Sequence, residues 1–123
     1  FSLFPGIQEN VVRHMFEAPE LRGIVMRSFG SGNAPQKPWL MRLLKDATQR
    51  GVTVVNISQC VAGFVKMGRY DTGFQLQDAG VVSGGDSTVE SAITKLMFLQ
   101  AHYKDVRAIR SLMGRSICGE ITK

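Results

Sequence analysis

The stretch from Gly23 to Pro35 limits the fold more than any other part of the chain. Ile24, Val25 and Met26 form a short apolar run of the length expected for a strand buried on both faces. At Arg27 the composition turns polar and glycine-rich, so the strand must end in a sharp turn with exposed polar groups. In open parallel sheets that carboxyl end is where ligands bind. The spacing Gly30-Ser31-Gly32-Asn33-Ala34-Pro35 imitates a dinucleotide fingerprint. Pro35, however, stands where the third glycine or alanine belongs, and no adequate acid follows, which argues against that reading.

The same alternation runs along the whole chain. Phe1 to Phe4 predicts a first strand, broken by Pro5-Gly6, and Ile7, Val11, Val12, Met15 and Phe16 then mark a helical face that ends before Pro19. After the Gly23–Pro35 strand and turn, a helix is expected from near Pro38, with Leu40, Leu43, Leu44 and Ala47 as its stripe. Gly51 reads as a left-handed cap, and Val52 to Ile57 as a third strand rich in β-branched residues. Residues 61–72 show no periodicity; a short helix is expected from about Thr72 to Ala79, capped by Gly80. Val81 to Ser83 predicts a fourth strand, Ser87 with Glu90 a capping box, and Ala92, Ile93, Leu96, Met97 and Leu99 the apolar positions of the next helix. A last helix should cover Val106 to Met113. Strands alternating with helices imply an α/β fold, a three-layer (αβα) Rossmann- or flavodoxin-like domain with a four-stranded parallel sheet in the order 2-1-3-4.

Composition narrows the function classes. At 123 residues, 44% hydrophobic and 20% charged, the chain is one ordinary globular domain. Its net charge of +5 comes from lysines and arginines scattered among acids rather than from a basic run, so neither nucleic acid nor membrane is expected as a partner. No run approaches the roughly 18 apolar residues of a membrane span, and the character is cytoplasmic. Cys60 and Cys118 fit neither a zinc spacing nor a disulfide framework, so reduced thiols are expected, with no metal and no cofactor. The chain opens on Phe1-Ser2-Leu3-Phe4 without an initiator Met, as a strand cut at its start would, and a fragment is expected.

In a parallel sheet the carboxyl ends of the second, third and fourth strands share one edge. That edge would collect Arg27 to Asn33, Asn56 to Cys60, and Gly84 to Thr88 into a polar rim. A helix N-terminus near Asp86 or Ser87 and the charge of Arg27 would favour a small carboxylate ligand there. The plainer roles are that Arg27 pairs with a carboxylate and that Asp86 and Ser87 only cap a helix. Catalytic groups are hard to find. His14 and His102 have no partner by spacing, no cation or histidine adjoins Cys60 to activate it, and Met97, Phe98 and Leu99 read as packing. No catalytic residue is assigned.

Several stretches resemble one family. Arg27-Ser28-Phe29-Gly30-Ser31-Gly32-Asn33-Ala34-Pro35, Val55-Asn56-Ile57-Ser58-Gln59-Cys60, Tyr70-Asp71-Thr72-Gly73, and the run from Ala79 to Glu90 with Thr94-Lys95-Leu96 behind are similar to the C-terminal domain of cytoplasmic, type I L-asparaginases. Phe4-Pro5-Gly6-Ile7 and Cys118-Gly119-Glu120-Ile121-Thr122 fit as well, so the likeness covers residues 1–123 in order. It implies an amidohydrolase that converts L-asparagine and water to L-aspartate and ammonia with a nucleophilic threonine. That nucleophile belongs to the family's N-terminal domain, and its Thr-Gly-Gly-Thr motif is absent here, so this chain should be silent alone. The resemblance further implies a homo-oligomer, dimer or tetramer, a regulatory asparagine site at Arg27 and Cys60, and a loop at Asn33 facing the partner's active site. Two alternatives remain: a standalone small-ligand-binding or interaction domain, and a module of a larger asparaginase/lysophospholipase protein.

Overall fold

A computed structural model of the chain describes residues 1–30, 32–60, 63–65 and 71–122, with the backbone alone at 71–74. The elements run α1 (Glu9–Phe16), β1 (Gly23–Ser28), α2 (Pro38–Gln49), β2 (Thr53–Ser58), α3 (Asp71–Asp78), β3 (Val82–Ser83), α4 (Val89–His102) and α5 (Val106–Met113). All strand pairs are parallel, in the order β1-β2-β3. β1 and β2 pair along their full length, from Gly23 with Thr53 to Ser28 with Ser58, whereas β3 adds only Val82 and Ser83 opposite Val55 and Asn56.

Because successive strand residues point to opposite faces, the sheet divides the core in two. Ile24, Met26 and Val54 pack with Val12 and Phe16 of α1, Leu40, Leu44 and Ala47 of α2, and Leu76 of α3. Val55 and Ile57 pack with Ala92, Leu96 and Leu99 of α4 and Ile109 and Met113 of α5. The result is helix, sheet, helix. The glycine ends expected of α2 and α3 are present, with Gly51 at φ 95° and Gly80 at φ 89°. Such left-handed backbone suits glycine because a Cβ would crowd the following carbonyl.

Four expectations are corrected. The described residues form three strands rather than four, because Phe1 to Phe4 makes only a single parallel bridge, Ser2 with Arg27. Pro5-Gly6 turns the chain away before a ladder can extend. The order 2-1-3-4 also fails. β2 occupies one edge of β1 over the strand's whole length, so the N-terminal segment lies on the other edge, through Leu3 N to Arg27 O at 2.9 Å and Arg27 N to Phe1 O at 2.8 Å. The cap of α4 sits one residue later than Ser87: Thr88 is the N-cap and its hydroxyl accepts from Ser91 N at 3.1 Å, with no reciprocal glutamate bond, while Ser87 is buried. On α4 itself, Ile93, Met97 and Phe98 are exposed rather than core, and only Leu99 of the Met97-Phe98-Leu99 run is buried. Of the aperiodic stretch 61–72, residues 61–62 and 66–70 lie outside the described residues, as do Ser31 of the first turn and Tyr70. No helix among the described residues is long and apolar enough to cross a membrane.

Candidate functional site

β1 and β2 end side by side at Ser28 and Ser58, and polar side chains then tie the loops beyond them to the sheet. Asn56 is the one polar residue of β2 with no exposure at all, and neither has Ser28 beside it. The Ser28 hydroxyl donates to Asn56 Oδ1 at 2.5 Å, and Asn56 Nδ2 donates to Gly32 O at 3.1 Å. Buried amides persist where they are satisfied, and here the reward is a fixed turn. Phe29 and Asn33 close that turn by exchanging backbone bonds of 2.8 and 2.9 Å. At Gly32, with φ 112°, an added Cβ would come within 2.8 Å of Val65 Cγ1, so both conformation and space require glycine.

The next loop is pinned the same way. Ser58 Oγ donates to Gly30 O at 2.6 Å and accepts from Cys60 N at 3.0 Å. Gln59 Nε2 spans the carbonyls of Leu3 and Arg27 at 2.6 and 2.9 Å, which holds the N-terminal segment against β1. After β3, Gly84 N donates to Asn56 O at 2.9 Å, and Thr88 caps the first turn of α4.

These three loop ends enclose a cavity of about 300 Å³ lined by Arg27, Ser58, Gln59, Cys60, Gly63 and residues 86–90. Arg27 Nε is buried without a hydrogen-bond partner among the described residues, and the Cys60 thiol is free and exposed. Arg27 thus shares one small hollow with hydroxyls and with the carboxylates of Asp86 and Glu90. Larger hollows exist: one of about 520 Å³ between α2 and α3, and one of about 420 Å³ against α4. The first is walled by Lys37, Arg42, Lys45 and Asp78, all solvent-exposed, so size alone does not make it a site. The structure therefore brings Arg27 and Cys60 together. Asn33 is not in the cavity wall; it is half-buried in the adjoining turn. His14 and His102 are exposed and absent from the cavity wall, with His14 Nδ1 2.6 Å from Asn10 O and the His102 ring 4.4 Å from that of Phe98, tilted by 44°. Among the described residues no group of three or more His, Cys, Asp or Glu could hold a metal ion.

The sequence matches the glutaminase/asparaginase C-terminal domain family over residues 1–113. The chain belongs to that family. It is 42% identical over 121 residues to L-asparaginase 1 of Escherichia coli, covering 98% of this chain and 36% of that protein. It is also 42% identical over 123 residues to the 60 kDa lysophospholipase of Homo sapiens, covering 98% of this chain and 21% of that protein. The crystal structure of L-asparaginase I from Vibrio cholerae superposes with a TM-score of 0.94 at 42% identity, over 100% of this chain and 37% of that one. The chain thus spans between a fifth and two fifths of these relatives' lengths.

Two polar contacts of this asparaginase C-terminal domain escaped the sequence reading, and both involve the segment after α5. Lys95, in the buried stripe of α4, has a side chain only 4% exposed and lies 3.7 Å from a Glu120 carboxylate that is 8% exposed. Its ammonium also donates to Arg115 O at 2.7 Å and Met113 O at 3.4 Å. Different forces dominate at the two partners. Burial pulls the Lys95 pKa down despite Glu120, so the attraction does not repay that desolvation. Burial pushes Glu120 up, yet the Ile117 and Cys118 N–H groups, the Ser116 hydroxyl and, last, Lys95 together hold it at about 2. Glu120 is therefore chiefly a loop staple, and at 3.7 Å the ion pair is secondary. The second contact joins Thr122 to Asp86 at the cavity wall. A lysine inside an apolar stripe is a signal that could have exposed the first contact; nothing local announces the second.

Proposed function

We propose that this domain is the C-terminal part of an L-asparaginase, and that its cavity binds free L-asparagine as a regulatory ligand rather than as a substrate undergoing attack. The observation that carries the reading is the meeting of Arg27 and Cys60 in one hollow at the carboxyl edge of the sheet. A guanidinium holds an α-carboxylate through two charge-assisted bonds, a fork that lysine cannot match. Glu90 and the Thr88 hydroxyl offer acceptors to the α-ammonium, and Cys60 forms a wall with no covalent role. The nucleophile that splits the amide, giving L-aspartate and ammonia, lies outside this chain, so the isolated domain releases no ammonia from asparagine. Asn33, on the turn beside the cavity, faces the active site of a second subunit in a dimer or tetramer.

The test uses the full-length protein that carries the domain. Rate against asparagine concentration should be sigmoidal, with a coupling on the order of 1–3 kcal/mol between effector and active site, and Arg27→Ala should flatten it. A hyperbolic wild-type curve, or a sigmoid unchanged by the substitution, leaves Arg27 as a structural cation. The equal identity to a human lysophospholipase supports a second reading, in which the domain serves a multi-module protein. Release of fatty acid from a lysophospholipid by the full-length protein would favour it.

A further inference from the structure

The segment after α5 folds back over α4 and ends at the cavity. Ile121 is buried, with its Cγ2 only 2.7 Å from where a Cβ on Gly85 would stand, and Glu120 is stapled to the backbone at Ile117. These anchors deliver Thr122 to the loop between β3 and α4. There its N–H donates to Asp86 Oδ1 at 2.8 Å and its hydroxyl donates to Asp86 Oδ2. Each carboxylate oxygen accepts one bond from this single residue, which fixes the orientation of the group.

Asp86 and Arg27 line the same cavity, and no ion pair joins Arg27 to a described residue. Left unengaged, a carboxylate lining the same hollow of about 300 Å³ as a guanidinium is free to swing toward it, pair with it and compete with any carboxylate ligand. We infer that Thr122 is a positioning residue for this cavity: by holding both oxygens of Asp86 it keeps that carboxylate off Arg27 and leaves the guanidinium open to the α-carboxylate of an amino acid. This deepens the reading of the cavity as an amino-acid site and rests on it. The Thr122 hydroxyl and then its N–H draw the Asp86 pKa below the ordinary value, so the group they hold is the charged competitor.

Cys60 in the cavity wall supplies the readout. In the full-length protein, alkylation of Cys60 by iodoacetamide is followed by mass spectrometry of its peptide during short pulses, with L-asparagine in large excess as the probe. Asparagine should protect Cys60 in the wild type. In Thr122→Val, which keeps the N–H and loses the hydroxyl, half-protection should need about fivefold more asparagine, the usual worth of one hydrogen bond. Thr122→Ser should match the wild type. The decisive variant is Thr122→Val with Asp86→Asn: an amide cannot ion-pair with Arg27, so protection should return to within about twofold of wild type. A general loosening of the loop would not be rescued this way. Equal protection in wild type and Thr122→Val, or a double variant as weak as the single, overturns the role of Thr122 alone. Absence of protection in the wild type overturns the amino-acid reading of the cavity and this inference with it.

Discussion

The two faces of the sheet are built differently. On the side of α1, α2 and α3 the buried residues are almost wholly apolar, and of the polar exceptions Ser28 and Asn56 satisfy each other and pin a turn while Thr48 of α2 donates to Ala79 O. On the side of α4 and α5 the apolar cluster is smaller, a lysine is buried within it, and the outer surface of α4 leaves Ile93, Met97 and Phe98 in solvent. One face is sealed mainly by hydrophobic burial with no buried charge, while the other depends on the segment 114–122 to cover one. Stability on the first face should therefore follow volume, and on the second it should also follow pH.

The largest expected effect tests the sealed face. Leu44 has no exposure, so Leu44→Ala removes buried methyl groups and opens a void, which should cost about 3 kcal/mol in urea unfolding. A loss under about 1 kcal/mol would mean that α1 and α2 close over the gap, and that this layer is looser than its burial implies.

Next comes the charged face. The folded domain holds Glu120 at about 2 against 4.5 for the unrestrained carboxyl, so the folded state binds this proton more weakly than the unfolded one. Its contribution is complete above pH 4.5 and is lost as the pH falls from there through about 2. Hydrogen exchange at the Ile117 and Cys118 amides should accelerate over that window after correction for intrinsic rates. Glu120→Gln should remove the pH dependence and cost about 2 kcal/mol at neutral pH, chiefly because the Ile117 and Cys118 N–H groups lose their charged acceptor and secondarily because Lys95 loses its carboxylate. Protection that ignores pH in the wild type would assign the staple to Ile121 packing instead.

Much of the sealed face was legible in the sequence, and less of the other. Ile24 to Met26 and Val52 to Ile57 announced strands because β-branched and apolar runs of that length suit a sheet covered on both sides. Arg27 and Cys60 could be placed on one edge because parallel strands put their carboxyl ends together. Strand order was not legible, since it turned on whether the short Phe1–Phe4 segment or β2 took the inner edge of β1, a choice fixed by tertiary pairing and by the Gln59 clamp. On α4 the apolar residues run nearly all round the helix, so periodicity could not say which of Ile93, Met97 and Leu99 faced inward. The Lys95–Glu120 and Asp86–Thr122 contacts join distant segments: a lysine in the apolar stripe hints that the first needs a partner without naming it, and no local pattern encodes the second.

A smaller effect is expected where the two faces meet at the cavity. Thr88 accepts from Ser91 N at the start of α4, and Thr88→Ala should cost about 1 kcal/mol, the ordinary worth of an N-cap. Thr88→Asp should restore it, since a carboxylate caps as well and also suits the positive end of the helix. Had Ser87 been the cap, Ser87→Ala would carry that loss and Thr88→Ala would be silent, so urea midpoints of the two alanine variants separate the alternatives.

The smallest effect probes the outer side of α4. Met97 is 65% exposed and Phe98 54%, so in the 123-residue chain neither contributes much burial to lose. Met97→Ala should change unfolding free energy by less than about 0.5 kcal/mol, as surface substitutions usually do. Were Met97 packed in the core, as its place among the apolar residues of α4 suggests from sequence, the same change would cost about 2–5 kcal/mol. The measurement should be made at two protein concentrations. A neutral result at both means that the surface is bare in this chain and that α4 is held only by its inner stripe of Ala92, Leu96 and Leu99. A loss that grows with concentration means that association covers Met97, because a substitution at a covered position removes stability only where the covering species is populated. The contrast between a sealed layer and an open one would then belong to the single chain and disappear in its assembly.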